Sequence, residues 1–377
     1  MTEKKKIVFL TGTRADFGKL KPLIGIIENS DLFEAYVFVT GMHTLSRYGF
    51  TYREIEKQGY QNIFVYTNQT SKTDMDITLA NTIIGFSNFV KEVCPDMIVV
   101  HGDRVEALAG AIVGSLNNVL TSHIEGGEVS GTVDELLRHA VSKLSHVHFV
   151  ANEEAKKRLI QMGENDSSIF VIGSPDIDIM KSDRLPTIEQ AKEWYEVPFD
   201  KFAIFIYHPV TTELVTLRQD VKQAVSALID SAGNYVVIYP NNDKGSDIIL
   251  EEYEEFKNRH NFRVLPSARF EFFLTLLKNS SFIIGNSSAG IREAEVFGIP
   301  AINIGSRQKN RTISKNVINV ADDKDAILKA ISKAEKTRFS PVSHFGDGNS
   351  CQRFYEVLTS GQLWDTPVQK QFSDLDF

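Results

Sequence analysis

"LTSHIEGGEVSGTVDELLRHAVSKL", Leu120 to Leu144, reads as a short strand, a glycine loop and a helix in that order. The spacing Thr132-Val133-Asp134-Glu135 is that of a capping box, with Thr132 as N-cap and Glu135 reaching back to its backbone N–H. Val133, Leu136, Leu137, Ala140, Val141 and Leu144 recur at helical spacing and predict the apolar face, while Asp134 and Arg138 share a flank at i, i+4. A strand feeding a capped helix through glycines is one βα unit, and Glu125 stands at its turn between Ile124 and two glycines. The stretch from Ser122 to His139 is rich in carboxylates, most of them with no cation beside them in sequence.

The same unit repeats in both directions. "KIVFLTG", "AYVFVTG", "NIFVY", "MIVVHGD", "LTSHIEGG", "HVHFVAN" and "SIFVIG" mark a first series, and "FAIFIYHP", "YVVIYPNN", "FRVLP", "FIIGNSS", "AINIG" and "NVINV" a second. Continuous apolar strands separated by helix-length segments predict parallel sheets covered on both faces. The class is therefore α/β, with two Rossmann-like doubly wound domains and an interdomain cleft at the carboxyl ends of their strands, where open parallel sheets bind ligands. "GSPDIDIMKSDRLPT" reads as the linker, giving domains over 1–180 and 187–355, with 356–377 as a tail returning to the first domain.

Bulk properties narrow the function. A chain of 377 residues exceeds what one core usually organises, and 42% hydrophobic with 24% charged residues is ordinary for a globular protein. The formal charge of -8 argues against nucleic-acid or anionic-membrane surfaces. No apolar run approaches the length of a membrane span, and the four residues Ile7 to Leu10 are too few for a signal peptide. Two cysteines, Cys94 and Cys351, build no disulfide framework, which points to the cytoplasm.

The polar residues that follow strands are the candidate site. "GTRADFGKL" has one residue too many between Gly12 and Gly18 for a P-loop, and no G-x-G-x-x-G follows the first strand, so nicotinamide and flavin are not indicated. Arg14 remains an anion contact or, alternatively, a surface partner of Asp16. In "FIIGNSSAGIREAEVFGIP" a helix is expected from Ser288 or Ala289, its free N–H groups facing phosphate, with Glu293 about one turn in and placed for a ribose diol; plain capping by Ser287 or Ser288 is the simpler reading. Asp103 closes the strand "VVHGDR" next to Glu125. Three converging carboxylates, Asp103, Glu125 and Asp134, would repel and divide acid from base roles; hydrogen bonding to loop amides is the alternative. His208 ends the first strand of the second domain, and Arg307 joins Arg14 and Arg104 as a cation for a diphosphate. His123, His139 and Glu125 lack metal-site spacing, so no metal is assigned.

With these residues in place the chain resembles the hydrolysing UDP-N-acetylglucosamine 2-epimerases. "TGTRADFGKLKPL", "TGMH", "VVHGDR", "HIEGGEVSGT", "RHAVSKLSH", "HPVTT", "YPNND", "GNSSAGIREA" and "GSRQ" occur in order over nearly its whole length. The resemblance implies a GT-B-like fold and an elimination of UDP from carbons 1 and 2 of the sugar, followed by rehydration to N-acetylmannosamine for sialic acid synthesis. It implies Asp103, Glu125, Asp134 and His208 as catalytic residues and Arg14, Arg104, Asn241, Ser287, Ser288, Glu293 and Arg307 as contacts to the UDP-sugar. It implies no cofactor and a homodimer. A related epimerase acting on UDP-2,4-diacetamido-2,4,6-trideoxyglucose for legionaminic acid shares these motifs, and a retaining glycosyltransferase or a nucleotide-sugar sensor would share the fold.

Overall fold

The apolar runs of the first series form β1 (Lys5–Thr11), β2 (Phe33–Val39), β3 (Ile63–Val65), β4 (Met97–His101), β5 (Leu120–Ile124), β6 (Val147–Val150) and β7 (Ile169–Val171). Those of the second form β8 (Ala203–Ile206), β9 (Tyr235–Ile238), β10 (Phe262–Leu265), β11 (Ile283–Gly285), β12 (Ala301–Ile304) and β13 (Val317–Val320). These assignments come from a computed structural model that describes residues 4–130, 132–183, 185–309, 314–342 and 344–374. The strands make two all-parallel sheets, ordered β3-β2-β1-β4-β5-β6-β7 and β10-β9-β8-β11-β12-β13. In each, chain order reverses beside the first strand, so each is doubly wound with a switch point, between β1 and β4 and between β8 and β11.

Strand alternation explains why the runs are apolar throughout. Along β1, Ile7 and Phe9 pack with Leu20, Leu23 and Ile24 of the helix Arg14–Glu28, while Val8 and Leu10 pack with Phe86 and Val90 of the helix Met75–Val93. Both faces are thus covered and polar residues are driven to the strand ends. In the second sheet Phe205 and Tyr207 pack with Val225 and Leu228 of the helix Leu217–Asp230, and the alternate residue Ile204 is also fully buried.

The chain divides into two units, one of 1–128, 134–182 and 344–377, the other of 129–133 and 183–343. The stretch read as a linker begins with a helix, Pro175–Met180, that belongs to the first unit. The C-terminal segment rejoins that unit from residue 344 and contributes Phe354, Leu358 and Leu363 to the core that holds Ile7 and Phe9. Asp178 accepts hydrogen bonds from the backbone N–H groups of Ser350 (3.0 Å) and Cys351 (2.8 Å), which satisfies free donors at the start of the helix Ser350–Thr359. Farther on, Lys370 Nζ donates to the carbonyls of Lys143 (2.8 Å) and Ser145 (2.6 Å) at the end of the helix Val133–Leu144.

The C-terminal helix is therefore part of the core. Phe354→Ala should lower the unfolding free energy by about 3–5 kcal/mol, whereas Gln352→Ala, on the exposed side of the same helix, should change it by less than about 0.5 kcal/mol. Urea titration of both variants checks the difference.

Candidate active site

At the end of β5 the backbone turns sharply. Glu125 has φ +64°, a left-handed conformation that non-glycine residues seldom adopt, and its N–H is tied to Phe149 O at 2.9 Å. Gly127 follows with φ +75°, and a Cβ there would sit 2.3 Å from Ala155 O, so only glycine fits. The turn carries the Glu125 carboxylate inward, to 4% exposure.

A charged group removed from water needs partners, and among the described residues Glu125 faces Lys19, His101 and Ser174. Lys19 Nζ, from the helix Arg14–Glu28, lies 3.2 Å from Oε2, and His101 Nε2, at the end of β4, also lies 3.2 Å from Oε2. Ser174 Oγ donates to Oε1. Lys19 is itself 8% exposed and lies 3.1 Å from Oδ2 of Asp176, a residue only 1% exposed. The site is thus a polar cluster from four elements at the carboxyl edge of one sheet. Sequence reasoning missed Lys19, Ser174 and Asp176. The strand-end rule applies to Ser174 and Asp176, which follow β7 but lie in the stretch read as a linker, whereas Lys19 lies inside a helix.

Asp103 has its own cation. Arg138, 2% exposed, donates through one terminal nitrogen to Asp103 Oδ2 and through the other to Glu128 O at 3.2 Å. Glu125 and Asp103 thus each face a buried cation, Lys19 and Arg138. The predicted face of the helix Val133–Leu144 is corrected, since Arg138 and Ser142 point inward while Leu136 is 70% exposed. Tertiary pairing of Arg138 with Asp103 outweighs the apolar pattern. Asp134 stands partly buried in the first turn of this helix.

Arg14 opens the helix Arg14–Glu28, and its Nε donates to Glu54 Oε2 at 3.0 Å. Pairing with Asp16 is overturned, because Asp16 accepts from the N–H groups of Gly12 (3.0 Å) and Thr13 (3.1 Å) and completes a capping box with Thr13. Arg104 precedes the helix Val105–Leu116, with Nε 3.8 Å from Glu106 Oε2. His123 bonds Ser142 Oγ (2.9 Å) and Gly102 O (2.8 Å) through its two ring nitrogens, and burial pushes its pKa down to about 3. Burial likewise lowers His43, beside Thr11 and Thr51, to about 4.

The second unit places its candidates at the switch point between β8 and β11. Gly285 has φ +129° and lies so close to β8 that a Cβ would fall 1.9 Å from Ile206 O. Asn286 then locks the two strand ends: Oδ1 accepts from His208 N (2.6 Å) and Nδ2 donates to His208 O (2.8 Å). His208 Nδ1 accepts from Asn241 N at 3.0 Å, so in the neutral ring the proton sits on Nε2. Arg307 and Gln308 both donate to Asn286 O, at 3.4 and 2.8 Å, and Asn241 Nδ2 donates to Asp243. The long helix expected from Ser288 is not formed. Ser287 caps a 3-10 turn, Ser288–Gly290, by accepting from Ala289 N (3.3 Å), and Glu293, 6% exposed, opens a separate four-residue helix, Glu293–Val296. The i+2 cap and Gly290 favour a short tight turn over a continuous helix. This region therefore offers backbone N–H groups and side chains, with less helix dipole than the sequence suggested.

The profile of the UDP-N-acetylglucosamine 2-epimerase family matches residues 26–359. A UDP-N-acetylglucosamine 2-epimerase of Neisseria meningitidis serogroup B is 47% identical over 376 residues, covering 99% of this chain and all of that one. A UDP-N,N'-diacetylbacillosamine 2-epimerase (hydrolyzing) of Legionella pneumophila is 35% identical over 371 residues, covering 97% and 98%. In fold, the chain resembles the crystal structure of Methanocaldococcus jannaschii UDP-GlcNAc 2-epimerase in complex with UDP-GlcNAc and UDP, with a TM-score of 0.78, 22% identity, and coverage of 94% and 100%.

Two of the buried histidines, His43 and His123, give the first unit an acid-sensitive core. His43 and His123 are depressed when folded and near 6.5 when unfolded, so the unfolded chain binds more protons as pH falls below about 6.5. Their stabilisation is complete above that value and declines toward pH 3–4. Between pH 7 and pH 5 each should remove roughly 2 kcal/mol, and urea midpoints measured across that range check it.

Proposed function

The chain belongs to the UDP-N-acetylglucosamine 2-epimerase family, and from that premise we propose that it is the hydrolysing kind, converting UDP-N-acetylglucosamine to N-acetylmannosamine and UDP. In the proposed reaction a base removes the proton on carbon 2 as the carbon 1–oxygen bond to UDP breaks, leaving 2-acetamidoglucal. Water then adds: a proton returns to carbon 2 on the opposite face and hydroxide to carbon 1.

The observation that carries this reading is the Glu125 cluster. A carboxylate fixed in a left-handed turn, 4% exposed and faced by Lys19, His101 and Ser174, is held as a base in a dry setting where proton transfer is effective. Asp103, beside Arg138 and 28% exposed at its side chain, is the second proton-transfer group, and Asp134 the third. His208 presents a protonated Nε2 and is proposed to meet the phosphate oxygen that leaves. Arg14, Arg104 and Arg307 supply cations for the diphosphate, the 287–290 turn supplies backbone donors, Glu293 holds the ribose and Asn241 completes the nucleotide contacts. No cofactor is needed, because bond breaking is driven by proton transfer and by stabilising a good leaving group. We place the protein in the cytoplasm as a homodimer serving sialic acid synthesis.

A second reading keeps the chemistry and changes the sugar. It is favoured by the Legionella relative, whose name gives a diacetamido substrate. Proton NMR of the reaction in D2O with each nucleotide sugar separates the two. The expected result is release of UDP together with N-acetylmannosamine carrying deuterium at carbon 2. Faster turnover of the diacetamido sugar would transfer the assignment to the second reading, and release of UDP-N-acetylmannosamine would mark a non-hydrolysing epimerase. His208→Ala should lower kcat by about 100-fold or more, read in the same assay, while Gln352→Ala should not.

A further inference from the structure

Two groups in the Glu125 cluster have no task in the reaction above. Ser174 and Asp176 flank Pro175 at the start of the helix Pro175–Met180, on a different element from every other residue assigned a role. Asp176 is the less expected of the two. It is 1% exposed, neither carboxylate oxygen makes an aligned hydrogen bond among the described residues, and the one cation beside it, Lys19 at 3.1 Å, also faces Glu125 at 3.2 Å. Burying a carboxylate with a shared cation and no hydrogen-bond donors does not favour folding.

Its effect on Glu125 is definite in sign. Two carboxylates, those of Glu125 and Asp176, share the Lys19 ammonium, so the second carboxylate favours a proton arriving on the first. Asp176 repels the charge on Glu125 and draws on the lysine that also faces Glu125, which makes Glu125 a stronger base. Ser174 acts in the opposite sense: its hydroxyl donates to Oε1 and stabilises the ionised form. Other titratable groups of the neighbouring elements, among the described residues, are these. His101 comes from β4, His123 from β5 is kept neutral by burial, and Arg138 is engaged by Asp103.

We propose that Ser174 and Asp176 are positioning residues that set the proton affinity of Glu125 from opposite directions, Asp176 raising it through the shared Lys19 and Ser174 lowering it by a direct hydrogen bond. The inference rests on the reading of Glu125 as a proton-transfer group. It makes the start of this helix a tuning element for the carbon 2 chemistry, acting without contact to substrate.

The test is the pH profile of kcat for UDP release from UDP-N-acetylglucosamine, measured for the wild-type protein, Asp176→Asn, Ser174→Ala and the double variant. Asparagine keeps the size of Asp176 and an oxygen for Lys19 while removing the charge. Its acidic limb should move to lower pH by about one unit. The Ser174→Ala limb should move to higher pH, and the double variant should lie between them. Asp176→Glu, which keeps the charge, should retain the wild-type limb even if its rate falls, whereas a purely structural role would lower rates without moving limbs in opposite directions. An active wild type whose limb stays fixed in both single variants, or moves the same way in both, overturns this inference alone. A folded wild type that releases no UDP overturns the epimerase reading and this inference with it.

Discussion

A carboxylate carried out of water at the end of a parallel strand requires a cation already in place, and Lys19 beside Glu125 is the contact on which the first unit's site depends. It joins residues 106 apart in sequence. Their meeting requires β1, β4 and β5 to lie side by side, as the sheet order places them, and the helix after β1 to return across the sheet so that Lys19 faces the strand ends. Both apolar faces of the sheet are covered, so polar chemistry has nowhere to gather except its edge. The left-handed backbone at Glu125 follows from the same demand: an extended residue there would continue the strand, whereas φ +64° turns the side chain into the cluster.

The second unit solves a parallel problem with neutral groups. Asn286 bonds both backbone groups of His208 and holds the ends of β8 and β11 together, while Asn241 N fixes the His208 ring through Nδ1. The result is a defined tautomer on a rigid support, the property that an imidazole serving as hydrogen-bond donor needs. Gly285 permits this arrangement because its strand approaches Ile206 too closely for any side chain.

How far the sequence could be read follows from the range of each interaction. The strands were legible because burial on both faces leaves a local signature, a continuous β-branched run, wherever it occurs. Strand-end residues such as Asp103, Glu125 and His208 were legible because the topology forces binding groups to those ends. The partners were not. That Arg138 turns inward to Asp103 cannot be seen in a helix whose apolar spacing favours Leu136 as a core residue, since the preference arises from a carboxylate 35 positions away. Ser174 and Asp176 were hidden by Pro175 and the nearby charges, which resemble a linker. The turn at Ser288 was misread because capping of a 3-10 turn and of a long helix uses the same serine.

The central claim is that Glu125 transfers protons and does so independently of nucleotide binding. Glu125→Gln keeps the shape of the side chain and removes its basicity, so the most direct measurement pairs its single-turnover rate of UDP release with its UDP dissociation constant from calorimetry. The account predicts a rate lowered by about 100- to 10,000-fold with UDP affinity within about threefold of wild type, the difference expected when no direct contact to the nucleotide is lost. Turnover close to wild type, or a loss explained wholly by weaker UDP binding, would contradict it.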